Sequence, residues 1–436
     1  MQNGKRKKPF TRNAKIHITY FFRKHPAIPY IAKWLAISSI IGVCVGSVSA
    51  GFLFSLEWAT ATRESHLWLI ALLPLCGAAI GLLYHYFGRD VEAGNNLLID
   101  AIHEPKGTIP FKMAPLVYIG TIATHLFGGS AGREGTALQM AGAVADQFSK
   151  PFRLTPNERK ILIISAVAAG FGSVFGTPLA GAVFGMEVFL MGRIKYDAIF
   201  PAFASAVLAD SMARMWGAPH THYPIGSIPD TTFQHIIYAI LAGIAFGLCA
   251  SLFSRAMHTV SSAFKSRIAF LPLRSFVGGI LVALAVLGIG TTKYIGLGIP
   301  TIVASFVQQL PPYDFAWKMA FTVVTLAAGF KGGEVTPLFF IGAALGNALS
   351  FFIPLPVGLL AGMGFVAVFA GATNTPLACM LMGIELFGSG SGIYVAIACI
   401  VSYLLSGHYS IYTKQMVGEP KHSRFTNYIG KRLSEL

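Results

Sequence analysis

Charge is what this chain has least of. Of its 436 residues, 33 are Lys or Arg and 18 are Asp or Glu, 12% in all, where a soluble domain carries roughly 25%. That shortage excludes an ordinary soluble protein and implies an integral membrane protein. Cysteine is sparse too. Cys44, Cys76, Cys249, Cys379 and Cys399 stand singly in apolar segments, which offers neither a disulfide framework nor metal-ligand spacing, and reads as small packed hydrophobes. Histidines 103, 125, 220, 222, 235 and 258 form no i,i+4 pair, so no metal site is expected and nothing calls for a cofactor. A cleavable leader is also missing from view: the apolar region after the first basic residues runs from about Ile28 to Phe54, beyond the roughly 7 to 15 residues of a signal's apolar core. It reads as a span.

What is present is apolar. Hydrophobic residues make up 54% and glycines number 47, with mean hydropathy +0.63; glycine is frequent where membrane helices pack closely. A net charge of +15 does not point to nucleic acid, because the basic residues sit in the tails and between apolar runs rather than along a groove with interleaved aromatics. From Lys5 to Lys33 there are nine of them, and no acid before Glu57. The positive-inside rule therefore puts the N-terminus in the cytoplasm. The tail bearing Lys414, Lys421, Arg424, Lys431 and Arg432 is expected on the same side.

Several apolar runs, among them 112 to 127, 137 to 149 and 376 to 387, fall short of the roughly 20 residues that cross a bilayer. Many helices must then enter and stop part way. Irregular backbone at that depth is tolerated only inside protein or beside a wet cavity. Transporters use such half-helices because their N-termini aim N–H groups and a positive dipole end at a bound anion.

The halves repeat. Glu134-Gly135-Thr136-Ala137-Leu138, then Gly142-Ala143, matches Glu334-Val335-Thr336-Pro337-Leu338, then Gly342-Ala343, at an offset of 334 − 134 = 200. Thr177-Pro178-Leu179-Ala180 with Glu187 matches Thr375-Pro376-Leu377-Ala378 with Glu385, at 376 − 178 = 198. The expected organisation is a basic tail (1–27), a first membrane repeat (28–217), a connector (218–233), a second repeat (234–412) and a C-terminal tail (413–436). If the halves insert with opposite topology, the two Glu-x-Thr segments meet near the midplane.

A glutamate within membrane depth is a functional candidate by default. Glu134 follows Gly128-Gly129-Ser130-Ala131-Gly132-Arg133 and has two readings: a carboxylate at a helix N-terminus, or an anion surrogate that leaves the anion seat on protonation. Glu334 is a candidate second proton or anion residue, with a local ion pair to Lys331 as the ordinary alternative. Thr336 is favoured as an anion donor and Thr136 as structural. Arg133 and Lys331 either attract anions or snorkel to water. Glu187 and Glu385 hold equivalent repeat positions and read as sharing a packing or helix-end role rather than chemistry. The G-x-S-x-G match around Ser130 lacks the strand that a nucleophile elbow needs, so enzyme function is not expected.

In these motifs the chain resembles the CLC family of anion channels and anion/proton antiporters: Gly132-Arg133-Glu134-Gly135, Gly176 to Gly181 and Gly333 to Pro337, in that order. Thr136 after Gly135, Gly94-Asn95-Asn96, Lys331 to Pro337 and Ser406-Gly407-His408 with Ile411-Tyr412 are similar to its fluoride-exporting branch. The resemblance implies an all-α polytopic membrane fold of two inverted-topology repeats with short, broken and re-entrant helices. It also implies a homodimer in the plasma membrane with a pathway in each subunit. Glu134 would be the gate, Glu334 a possible second proton or anion residue, and Asn95, Gly132, Gly135, Val335, Thr336 and Tyr412 the anion-binding set. The implied activity is export of fluoride in exchange for protons; the alternative is a chloride or nitrate carrier or channel of the same architecture. Val188 stands where chloride antiporters of the family carry an inner proton glutamate. Fluoride is small and strongly hydrated, so its site must replace water with close donors.

Overall fold

The structure, a computed structural model, describes residues 27–104 and 107–436; the basic residues from Lys5 to Lys24 lie outside them. The first half runs through α1 (Ala27–Ser65), α2 (Leu73–Phe87), α3 (Asn95–His103), α4 (Met113–Leu126), α5 (Glu134–Asp146), α6 (Pro156–Phe175), α7 (Pro178–Glu187) and α8 (Ile199–Met215). The second runs through α9 (Phe233–Arg267), α10 (Leu271–Ile289), α11 (Ile299–Val307), α12 (Asp314–Ala327), α13 (Val335–Leu349), α14 (Val357–Thr373), α15 (Pro376–Phe387) and α16 (Gly392–Leu405). Between them residues 217–232 form no regular element.

The helix lengths pair in order. They are 39 and 35 residues for α1 and α9, 9 and 9 for α3 and α11, 14 and 14 for α4 and α12, and 13 and 15 for α5 and α13. Local signals explain the boundaries. Thr155 and Glu158 close a capping box on α6, and its C-cap Gly176 turns the chain left-handed at φ 72, which a residue without Cβ adopts freely. Asn374 does the same after α14 at φ 59, and α7 and α15 both open on a proline, whose fixed φ and missing N–H suit a first turn.

Two-fold packing joins the halves as inverted-topology repeats. A Cβ on Gly81 of α2 would lie 2.5 Å from Cα of Pro272 at the start of α10, and one on Gly279 of α10 would lie 2.6 Å from Cα of Pro74 at the start of α2. The Glu187 carboxylate accepts from the N–H groups of Leu377 and Ala378 on α15 (3.1 and 2.9 Å), and Glu385 from those of Leu179 and Ala180 on α7 (3.0 and 2.8 Å). Each repeat thus caps a helix of the other, so of the packing and helix-end roles open to these acids it is the helix-end one that they take.

Only four described helical stretches are long and apolar enough to cross a membrane: Ala27–Ser65, Leu67–Phe87, which opens as a 3-10 helix, Phe233–Arg267 and Leu271–Ile289. Two apolar runs do not fold as a single helix. The run 178 to 192 ends its helix at Glu187, and Leu190–Met191 becomes a strand β1 paired in parallel with β2 (Met416–Val417); strand pairing supplies partners to backbone that a helix end leaves bare. The run 294 to 309 is helical only over Ile299–Val307. Pro300 sits at the first turn there, where proline is tolerated, rather than in an interior it would break.

Candidate anion site at the repeat interface

The loops before α5 and α13 carry glycines where they meet, at Gly132 and at Gly332-Gly333, so they approach backbone to backbone. The Gly132 N–H donates to Gly333 O at 2.6 Å and the Gly333 N–H to Gly132 O at 2.8 Å, an antiparallel bridge between the two repeats. A Cβ at Gly333 would lie 2.6 Å from the Gly135 N, and one at Gly135 would lie 2.9 Å from Asn95 Nδ2. A side chain at Gly333 would force the two backbones apart. His125, fully buried, ties the preceding loop to α4 through Thr121 O and Ala131 O at 2.8 and 3.1 Å.

This bridge sets Glu134, the first residue of α5, against the N-terminus of α13. Its side chain has no exposure to solvent. Oε2 accepts from the Thr336 N–H at 3.0 Å and the Arg133 N–H at 3.1 Å, and Oε1 accepts from the Thr336 hydroxyl. A helix N-terminus with free N–H groups and a positive dipole end is an anion seat. Here the anion in it is the protein's own carboxylate, delivered from the opposite repeat.

A cavity of about 220 Å³ adjoins this seat, lined by Glu334, Lys331, Tyr412, Asn95, Asn96 and Gln139 among others. Two polar atoms buried beside it, Tyr412 Oη and Asn95 Oδ1, have no hydrogen-bond partner. Unmatched buried polar groups are costly, so their retention around a cavity marks a place for a polar guest. The Lys331 ammonium lies over the Tyr84 ring, 3.8 Å from its centroid, and the ion pairs of the described residues do not include one between Lys331 and Glu334. The carboxylate is left facing the cavity.

The structure therefore brings Glu134, Thr336, Glu334, Tyr412, Asn95, Gly132, Gly135 and Val335 to one interface, in different capacities. The Gly132 N–H is committed to Gly333, so Gly132 contributes close approach rather than a donor. Val335, 1% exposed, opens α13. Thr136 turns away, its hydroxyl 2.6 Å from that of Thr121, in keeping with a structural role. Ser130 bonds to the hydroxyls of Thr322 and Thr325 and follows helix α4, so no nucleophile elbow is formed. Among the described residues no group of three metal-binding side chains occurs. Gln139 faces the same cavity and escaped the sequence reading; the available signal was one amide among the apolar residues of Ala137 to Ala143.

Comparison with known proteins agrees with this architecture. The family model described as voltage gated chloride channel matches residues 76–407. The chain belongs to the CLC family. A chloride/fluoride channel protein of Pseudomonas syringae pv. tomato is 54% identical over 403 residues, covering 91% of this chain and 89% of that protein. The voltage-gated ClC-type chloride channel ClcB of Escherichia coli O81 is 27% identical over 405 residues, covering 85% and 95%. Among solved structures, a CLC-type fluoride/proton antiporter superposes with TM-score 0.86 at 35% identity, covering 88% of this chain and 98% of that one. A slow cyanobacterial chloride/proton antiporter, at 20% identity and TM-score 0.75 over 87% and 96%, shares the fold. CLC proteins are transporters and channels rather than enzymes. Val188, the residue after Glu187, is buried at 3% exposure.

Proposed function

We propose that this CLC protein is a fluoride/proton antiporter that exports fluoride from the cytoplasm in exchange for protons, with Glu134 as its gate. The observation that carries the reading is the Glu134 carboxylate seated on the N–H and hydroxyl of Thr336. Ionised, the side chain fills the anion seat and closes the path. Protonated, it has lost the charge that the helix N-terminus holds, so it gives up the seat to an anion arriving from the cavity of Glu334, Tyr412, Asn95 and Lys331. One proton is thereby exchanged against one occupancy of the seat. Glu334 serves as the second acid, in the place of the glutamate that Val188 replaces. Hydroxyls, N–H groups and a protonated carboxyl are the close donors that a strongly hydrated anion requires. The likeness to a solved CLC-type fluoride/proton antiporter at 35% identity supports the reading.

The protein acts as a homodimer in the plasma membrane with both termini in the cytoplasm, where its basic tails belong. A chloride carrier of the same architecture is the second reading, favoured by the chloride in the names of three of the four similar proteins described above. Ion-resolved efflux from proteoliposomes, with and without a pH gradient, separates the two. Fluoride is expected to leave well ahead of chloride, with proton uptake in step; equal rates would refute the fluoride assignment. Glu134→Gln, which keeps size but cannot ionise, is expected to abolish proton coupling. Normal coupled exchange in that variant would remove Glu134 from the gate.

A further inference from the structure

The Arg133 backbone N–H belongs to the Glu134 seat, but its side chain does not, and the setting of that side chain is unusual. It is 8% exposed, and its Nε is buried without a hydrogen-bond partner, 3.6 Å from Glu134 Oε1 and so outside hydrogen-bond reach. A buried cation left short of partners is costly. The side chain lines a second cavity, of about 540 Å³, which shares no lining residue with the cavity of Glu334. Glu134 lines neither, and lies next to Arg133 on one side and on Thr336, two residues from Glu334, on the other.

The other charges of this second cavity are accounted for in a telling way. Lys293 pairs with Asp314. Arg63 donates to His125 O at 2.9 Å and lies 3.4 Å from Glu64. The two acids of the lining, Glu57 and Glu64, are exposed. Arg133 is left as the buried cation whose strongest claim is on a negative charge it does not fully reach. We propose that Arg133 forms an outer station for a small anion, in the cavity it shares with Lys293 and Thr221, one seat beyond Thr336. A guanidinium offers forked, charge-assisted donors, and a permeation path needs successive sites, each favourable to occupy and weak enough to leave. An anion displaced by the returning Glu134 carboxylate passes to Arg133 and then to the exterior.

This inference rests on the antiport reading, and the two are separable with oriented vesicles and fluoride salt as the probe. Uptake into right-side-out vesicles reads the outer face; uptake into inverted vesicles reads the cytoplasmic face. Arg133→Gln is expected to raise the half-saturating fluoride concentration at the outer face about tenfold or more, the cytoplasmic value staying within about twofold. Arg133→Lys, which keeps the charge, is expected to recover most of that loss. A residue that only supports the fold would lower the maximal rate at both faces and leave the outer half-saturation alone, and that result overturns the station. Thr221→Asp, on the irregular connector, places a negative charge by the same cavity and serves if Arg133→Gln does not accumulate; an unchanged outer half-saturation there overturns the inference equally. If the parent protein carries no fluoride from either face, the antiport reading falls and takes this inference with it. If the parent does carry it and the variants behave like the parent, the station alone is wrong.

Discussion

At the scale of single residues, several acids of the described fold meet a defined partner. Glu134 is held by Thr336 and Arg133, Glu187 and Glu385 by helix N-termini, and Asp146 by Arg159 with two contacts of 2.7 Å. Lys421 in the C-terminal tail is different: its ammonium donates to Ser406 Oγ at 2.8 Å and lies 4.3 Å from the Tyr403 ring centroid, and the ion pairs of the described residues do not include it. Burial pushes it down from the ordinary 10.5 to about 7. A released tail therefore binds more protons than the docked tail between about pH 7 and 10.5, so docking strengthens as pH rises through that window and is weakest, and flat, below it. Hydrogen exchange of residues 413–436 is expected to slow as pH is raised across the window, after correction for intrinsic exchange. Lys421→Met is expected to abolish that dependence.

At the scale of elements, the functional seat is made by two helix N-termini whose position depends on glycine contacts well behind them. Gly342 of α13 packs so closely on Gly364 of α14 that a Cβ would stand 2.0 Å from the Gly364 carbonyl oxygen. Gly342→Ala is expected to cost about 1–3 kcal/mol through overpacking, read as a lower thermal midpoint in detergent. It is also expected to reduce coupled flux, because α13 carries Thr336. Much of this level was legible beforehand: the Thr-Pro helix starts, the short apolar runs and the Glu-x-Thr repeat all mark helix ends in the chain itself. The β1–β2 pairing was not, since Leu190–Met191 continues an apolar run and its partner lies more than two hundred residues away. Nor was the repeat between Leu73-Pro74 with Gly81 and Leu271-Pro272 with Gly279, which becomes conspicuous only once each glycine is seen against the other's proline.

At the scale of the whole molecule, two halves related by a two-fold meet at a bridge of glycines, and symmetry converts one duplicated motif into two unlike parts. Glu134 reaches across to Thr336, whereas Glu334 faces a cavity. If each subunit of the proposed homodimer carries its own pathway, a linked pair with one Glu134→Gln subunit retains about half the coupled flux of the parent pair, with no cooperativity between subunits. Complete loss of coupling in such a pair would show that the pathway is shared.

The sequence alone determined the membrane class, the duplication, the half-helices and the acids at their ends, because hydrophobicity, offset and helix-start residues are local properties of the chain. Only the tertiary structure decided which donor meets which acid. The Glu134 seat on Thr336, the reciprocal capping by Glu187 and Glu385, the orphaned Tyr412 and Asn95 oxygens and the cavity that Arg133 lines all depend on contacts across about two hundred residues or more, or on the shape of a cavity. Such contacts follow from close packing of the two halves, which no local pattern encodes.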